Sequence, residues 1–128
     1  SLFHQGEIIA ISRATGESRV VMDGLNHPHS LYQYEAITVF SDSENKMIVI
    51  TDRDFQRIRS LYLPETDWIQ DTSLLSNGNL LVCDSNNRRM LQVNPITGQT
   101  IDILTYSPEY KIYQAKEIGN NWRGMSNE

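Results

Sequence analysis

The chain repeats itself. Leu80-Leu81-Val82-Cys83-Asp84-Ser85-Asn86-Asn87-Arg88-Arg89-Met90-Leu91-Gln92-Val93-Asn94 aligns with Ile37 to Asp52, and the shared Asp-Ser pair places Asp42 and Asp84 42 residues apart. A third, partial copy opens the sequence: Ile8 to Glu17 matches Leu91 to Gln99, with Thr15-Gly16 against Thr97-Gly98 at an offset of 82, or two periods. A repeat of this length built from short apolar runs constrains the fold more than any single residue does. One unit cannot bury its apolar face alone and has to stack on a neighbour.

Within a unit the pattern is that of four short antiparallel strands. In the last full copy Gln70 to Leu75 reads as the first strand, Ser76-Asn77-Gly78 as a hairpin turn whose residues tolerate positive φ, and Asn79 to Asp84 as the second strand. Ser85 to Arg88 turns into a third strand, Arg89 to Asn94. Pro95 to Gly98 closes the next turn, because Pro presets φ and Gly accepts a left-handed conformation, and Gln99 to Thr105 is the fourth strand. The middle copy gives strands near His29 to Tyr34, Ile37 to Ser41, Lys46 to Asp52 and Gln56 to Leu63. No segment sustains a helical period, so the chain is expected to be all-β and its units to be β-propeller blades. The expected division is a part blade over 1–23, blades over 24–65 and 66–106, and a part blade over 107–128.

Both ends interrupt a unit. The chain opens on the third and fourth strands of a blade, Glu7 to Ser12 and Glu17 to Met22. It closes on a first strand, Lys111 to Ile118, a turn at Gly119-Asn120-Asn121 and a short strand from Trp122 to Met125. This sums to about three blades, fewer than the roughly four to eight that close a ring. Either a longer parent chain completes the ring, or copies associate head to tail and a dimer holds six blades.

Composition fits a folded domain, with 39% hydrophobic and 21% charged residues. A net charge of −5 disfavours a nucleic-acid partner, which usually leaves a basic patch. The basic pairs Arg57/Arg59 and Arg88/Arg89 fall at strand and turn positions and read as a solvated face. The single cysteine, Cys83, has no disulfide partner in the chain and sits in an apolar strand, where a thiol is a small hydrophobe. No apolar run approaches the about 18 residues of a membrane span, and no signal-peptide pattern is seen, so a cytoplasmic protein without a membrane partner is expected.

The first strands of propeller blades line the central channel, so residues at their start converge. Here these are His27-Pro28-His29, Ile69-Gln70-Asp71 and Tyr113-Gln114-Ala115, with Trp68 just before the second set. Histidines at alternate strand positions share a face. His27 and His29 with Asp71 from the next blade would form a catalytic set, or a divalent-metal site if a cofactor is used at all. Trp68, Gln70 and Gln114 are the ligand-binding candidates. The competing reading of His-Pro-His is a hydrogen-bonded corner, and of the two tryptophans inter-blade packing. Asp42 and Asp84 recur with the repeat, which suits turn capping better than a unique active site. His4 is given no role.

The motif from Leu80 to Met90 resembles the blade of NHL-repeat and gluconolactonase-like six-bladed propellers, in which a strand ends in Asp-Ser, turns through Gly or Asn and continues past an Arg. Asn86 stands where Gly is usual. Gly24-Leu25-Asn26-His27-Pro28-His29-Ser30-Leu31 is similar to a segment of bacterial propeller-like proteins of unassigned function. The resemblance implies a fold that serves hydrolases, lyases, sulfotransferases and binding scaffolds alike. Three functions are therefore expected in order: a binding or scaffolding module that recognises a ligand or protein at the channel mouth, a metal-dependent enzyme of lactonase or lyase type, and a self-assembling structural ring.

Overall fold

A computed structural model describes residues 6–118 of the chain. It is all-β, with ten strands in three antiparallel sheets. Strands β1 (Gly6–Ile11) and β2 (Ser18–Leu25) form a hairpin sheet. Strands β3 (Pro28–Gln33), β4 (Ile37–Asp42), β5 (Met47–Asp52) and β6 (Arg57–Tyr62) form a second sheet in chain order. Strands β7 (Ile69–Leu74), β8 (Leu80–Asp84), β9 (Arg89–Val93) and β10 (Thr100–Thr105) form a third, again in chain order. These bounds agree within one to three residues with the strands expected up to Thr105. Among the described residues no helix is long and apolar enough to cross a membrane.

The apolar alternation explains how the sheets stack. On β4 and β5, Val39, Ile48 and Ile50 pack with Leu61, Leu63, Ile69, Leu80, Val82, Leu91 and Val93 between the second and third sheets. The intervening Phe40 and Val49 pack with Leu25, Ile8 and Met22 toward the hairpin. Successive strand side chains point to opposite faces, so a sheet covered on both sides reads as the near-continuous apolar run Met47-Ile48-Val49-Ile50.

The sequence repeat reappears bond by bond. The Asp42 carboxylate accepts the Asn26 backbone N–H at 2.7 Å and the Asn45 side-chain amide at 2.9 Å. Asp84 accepts from Asp67 N–H and Asn87 at the same two distances. Lys46 and Arg88 share a left-handed φ of 58° and donate from their side chains to the Thr66 and Tyr110 carbonyls. In the turns, Gly16 N–H donates to the Ser12 carbonyl and Gly98 N–H to that of Asn94, with φ of 74° and 75° at the two glycines. Glycine meets that requirement without a Cβ penalty.

The expected strand from Lys111 to Ile118 is not a strand in the structure, where these residues follow an irregular course. Their backbone bonds go to side chains of the third sheet instead of to a ladder: Ser85 Oγ donates to the Ile112 carbonyl at 3.1 Å, Ser73 Oγ to the Ala115 carbonyl at 3.3 Å, and Ala115 N–H to Asp71 Oδ2 at 3.2 Å. The expected turn at Gly119-Asn120-Asn121, the strand from Trp122 to Met125, and His4 lie outside the described residues.

Candidate functional site

The residues singled out from the sequence fall into two groups along β3 and β7. One group lies at the connections that enter these strands. His27 and Trp68 precede β3 and β7, both have left-handed φ (56° and 71°), and their carbonyls accept from the backbone N–H groups of Ser43 and Ser85, which are 42 residues apart. The two connections are therefore equivalent. They bring the His27 ring centroid to 5.4 Å from that of Trp68 and the His29 centroid to 5.3 Å, edge on to the indole. His27 lies outside β3, so this meeting comes from the bend at residue 27 and not from strand alternation.

Each polar end of this cluster has a distinct environment. His27 Nδ1 lies 2.8 Å from Glu44 Oε2, and both side chains are roughly half exposed. The Trp68 indole N–H donates to Gln70 Oε1 at 2.8 Å, which fixes the ring with its face toward the histidines. His29 Nε2 is buried without a hydrogen-bond partner. Burial, and secondarily the neighbouring His27, lowers the His29 pKa below its ordinary value, so the imidazole is held neutral.

The second group is the seam between the second and third sheets. The register of β3 slips between His29 and Tyr32, and Ser30 inside this bulge has φ of 61°. A bulge re-aims side chains. The Ser30 hydroxyl donates to Asp71 Oδ1, and the Tyr32 hydroxyl donates to the same oxygen at 2.9 Å. Gln114 Nε2 donates to the Tyr32 oxygen at 2.7 Å, and Lys116 Nζ lies 3.3 Å from the centre of the Tyr32 ring, a cation–π contact. With Ala115 N–H on its other oxygen, the Asp71 carboxylate is buried and bonded from both sides.

The structure thus joins Trp68, Gln70, His27 and His29 at one place and Asp71 and Gln114 at another. Asp71 is occupied by Ser30, Tyr32 and Ala115, while His27 is engaged by Glu44 and Trp68. Among the described residues no group of three or more His, Cys, Asp or Glu side chains is placed to hold a metal ion. Cys83 pairs in register with Asp71, and burial first, then the Asp71 charge, pushes its thiol up to about 12. A thiolate nucleophile is therefore disfavoured at neutral pH.

Sequence reasoning missed Ser30, Tyr32, Glu44 and Lys116. Ser30 and Glu44 depend on a bulge and on a 17-residue return of the chain, which leave no local signal. Tyr32 and Lys116 do stand two residues beyond Ser30 and Gln114, on the strand side already expected to converge. No protein-family model matches the chain, and a search of curated proteins finds no significant match.

Proposed function

We propose that the protein is a segment of a β-propeller that acts as a recognition module, with the ligand or partner contacting the rim formed by His27, His29, Trp68 and Gln70. The observation that carries this reading is the equivalence of His27 and Trp68. Successive repeats use the same left-handed corner, yet place two different ring-bearing residues there, next to each other. A purely structural corner would favour Gly or Asn at positive φ. A flat indole beside a half-exposed imidazole and carboxylate suits a small polar ligand that stacks and accepts or donates hydrogen bonds. The bonded state of Asp71 supports a scaffolding role for the seam beneath.

A second reading, metal-assisted or proton-transfer chemistry at the same rim, draws support from one atom. His29 Nε2 is neutral, buried and without a partner, as a ligating nitrogen would be before its ligand arrives.

The two separate by titration. The indole N–H resonance of Trp68 is followed while simple sugars, dicarboxylates, aromatic amino acids and zinc are added in turn. Recognition predicts a saturable shift with an organic probe, lost in Trp68→Ala. A shift with zinc alone, lost in His29→Ala, favours the metal reading. No shift with any of these probes sinks the rim as a site.

A further inference from the structure

Two apolar surfaces of this molecule are halves of one contact that the chain already makes internally. Between the second and third sheets, Leu61 on β6 packs with Leu91 and Val93 on β9; they are 5%, 1% and 0% exposed. At offsets of 82 residues, Ile9 and Ile11 on β1 hold the places of Leu91 and Val93, yet they are 53% and 68% exposed. Leu104 on β10 pairs with Met90 as Leu61 pairs with Ile48, one repeat earlier, and it is 58% exposed. The hairpin therefore bares the leading face of a sheet, and the third sheet bares the trailing face that fits it.

The strand edges complement each other in the same way. Among the described residues β1 pairs only with β2, the counterparts of β9 and β10, so the places of β7 and β8 beside β1 are open. Residues 111–118 meanwhile lie against β7 as β7 lies against β3. Ser43 Oγ donates to the Ile69 carbonyl and Ser85 Oγ to the Ile112 carbonyl, and Lys46 and Arg88 donate to the Thr66 and Tyr110 carbonyls. This segment occupies a first-strand position with no sheet beside it.

We propose that a second copy of this chain docks on the open edge of β1. Its segment from Lys111 onward enters the place of the first strand beside the hairpin, and its third sheet covers Ile9 and Ile11 with Leu104. The occupant is a second copy because both halves of the contact, apolar face and strand edge, are displayed by one chain in the register of its internal repeat. Each chain carries two four-stranded sheets and one hairpin sheet. Two copies hold about six sheets, inside the roughly four to eight that close a ring, whereas three hold about nine. The contact is head to tail and closes by a two-fold rotation. Pairing of the loose 111–118 segment into a ladder also removes an exposed edge. This inference rests on the propeller reading but not on the rim, so solution mass and ligand titration fail independently.

The test is the mass in solution of the full chain, by light scattering at micromolar concentration, with circular dichroism to monitor folding. The expected mass is twice 14.7 kDa. Ile11→Lys and Leu104→Glu each alter a side chain that is exposed in the single chain, so each is expected to keep the β spectrum and halve the mass. Mixing the two variants leaves one unaltered contact per pair and is expected to restore the doubled mass. A folded wild-type chain at the single mass, a larger open-ended assembly, or variants that stay paired would each overturn the proposal. Should a variant lose its β spectrum, concentration-dependent hydrogen-exchange protection of β1 in the wild type decides in its place: protection that rises with concentration supports the docking, and protection that does not overturns it.

Discussion

Ser43 and Ser85, 42 residues apart, each send a hydroxyl to a backbone carbonyl on the next unit of the chain, Ile69 for the first and Ile112 for the second. The same side chain does the same work across two successive junctions. It closes one junction between two complete sheets and holds an irregular segment at the other, which is why the second junction looks unfinished.

The repeated aspartates differ in one respect that stability measurements detect. Asp84 accepts Arg89 Nε at 2.7 Å in addition to the two bonds it shares with Asp42, and its side chain is fully buried. Asp84→Ala strands the mostly buried Arg89 and is expected to cost about 3–5 kcal/mol. Asp42→Ala removes neutral donors only, for about 1–3 kcal/mol. Urea unfolding of both variants gives the comparison, and equal losses would refute the added weight of the Arg89 contact.

The Asp71 seam acts as a unit. Tyr32→Phe removes a hydroxyl bonded to a buried carboxylate and is expected to cost about 1.5–3 kcal/mol. Ser30→Ala and Asp71→Asn should be non-additive, with a coupling of about 0.5–3 kcal/mol in a double-mutant cycle. Strict additivity would mean that the two side chains do not share a bond in solution.

Cys83 is expected to resist thiol reagents at pH 8 in the folded protein and to react at once in denaturant, because burial and Asp71 keep it protonated. Rapid labelling of the native state would contradict this. The raised thiol pKa also implies stability that is complete below the ordinary thiol range and declines as pH rises above it, since the unfolded chain then releases a proton that the folded chain retains.

His29 gives the opposite dependence. Its folded pKa is lowered, so the contribution of the neutral ring is fully present above the unfolded value of 6.5 and is lost as pH falls through the lower folded value. Thermal melts from pH 7.5 downward are expected to show a decline that His29→Gln flattens. An unchanged slope in the variant would assign the acid sensitivity to other groups.

Much of the local structure was legible because it is dictated locally. Alternating apolar residues set the strand faces, Ser76-Asn77-Gly78 and Thr97-Gly98 supply φ angles that few other residues tolerate, and the Asp-Ser pairs mark where a strand must turn. Lys111 to Ile118 reads equally well as a strand, yet a strand is regular only where a neighbour satisfies its ladder, and among the described residues these backbone groups are met by side chains of Ser85, Ser73 and Asp71.

The sequence by itself determined the all-β class, the 42-residue period and the two faces of each strand, since these follow from side-chain alternation and turn chemistry along the chain. Only the tertiary structure decided that Asp71 is spent on Ser30 and Tyr32, that His27 meets Glu44, and that Trp68 stands between two histidines. Those partners lie 17 to 41 residues apart, and which of many possible polar pairs forms depends on how a bulge and two left-handed corners bring separate sheets into register.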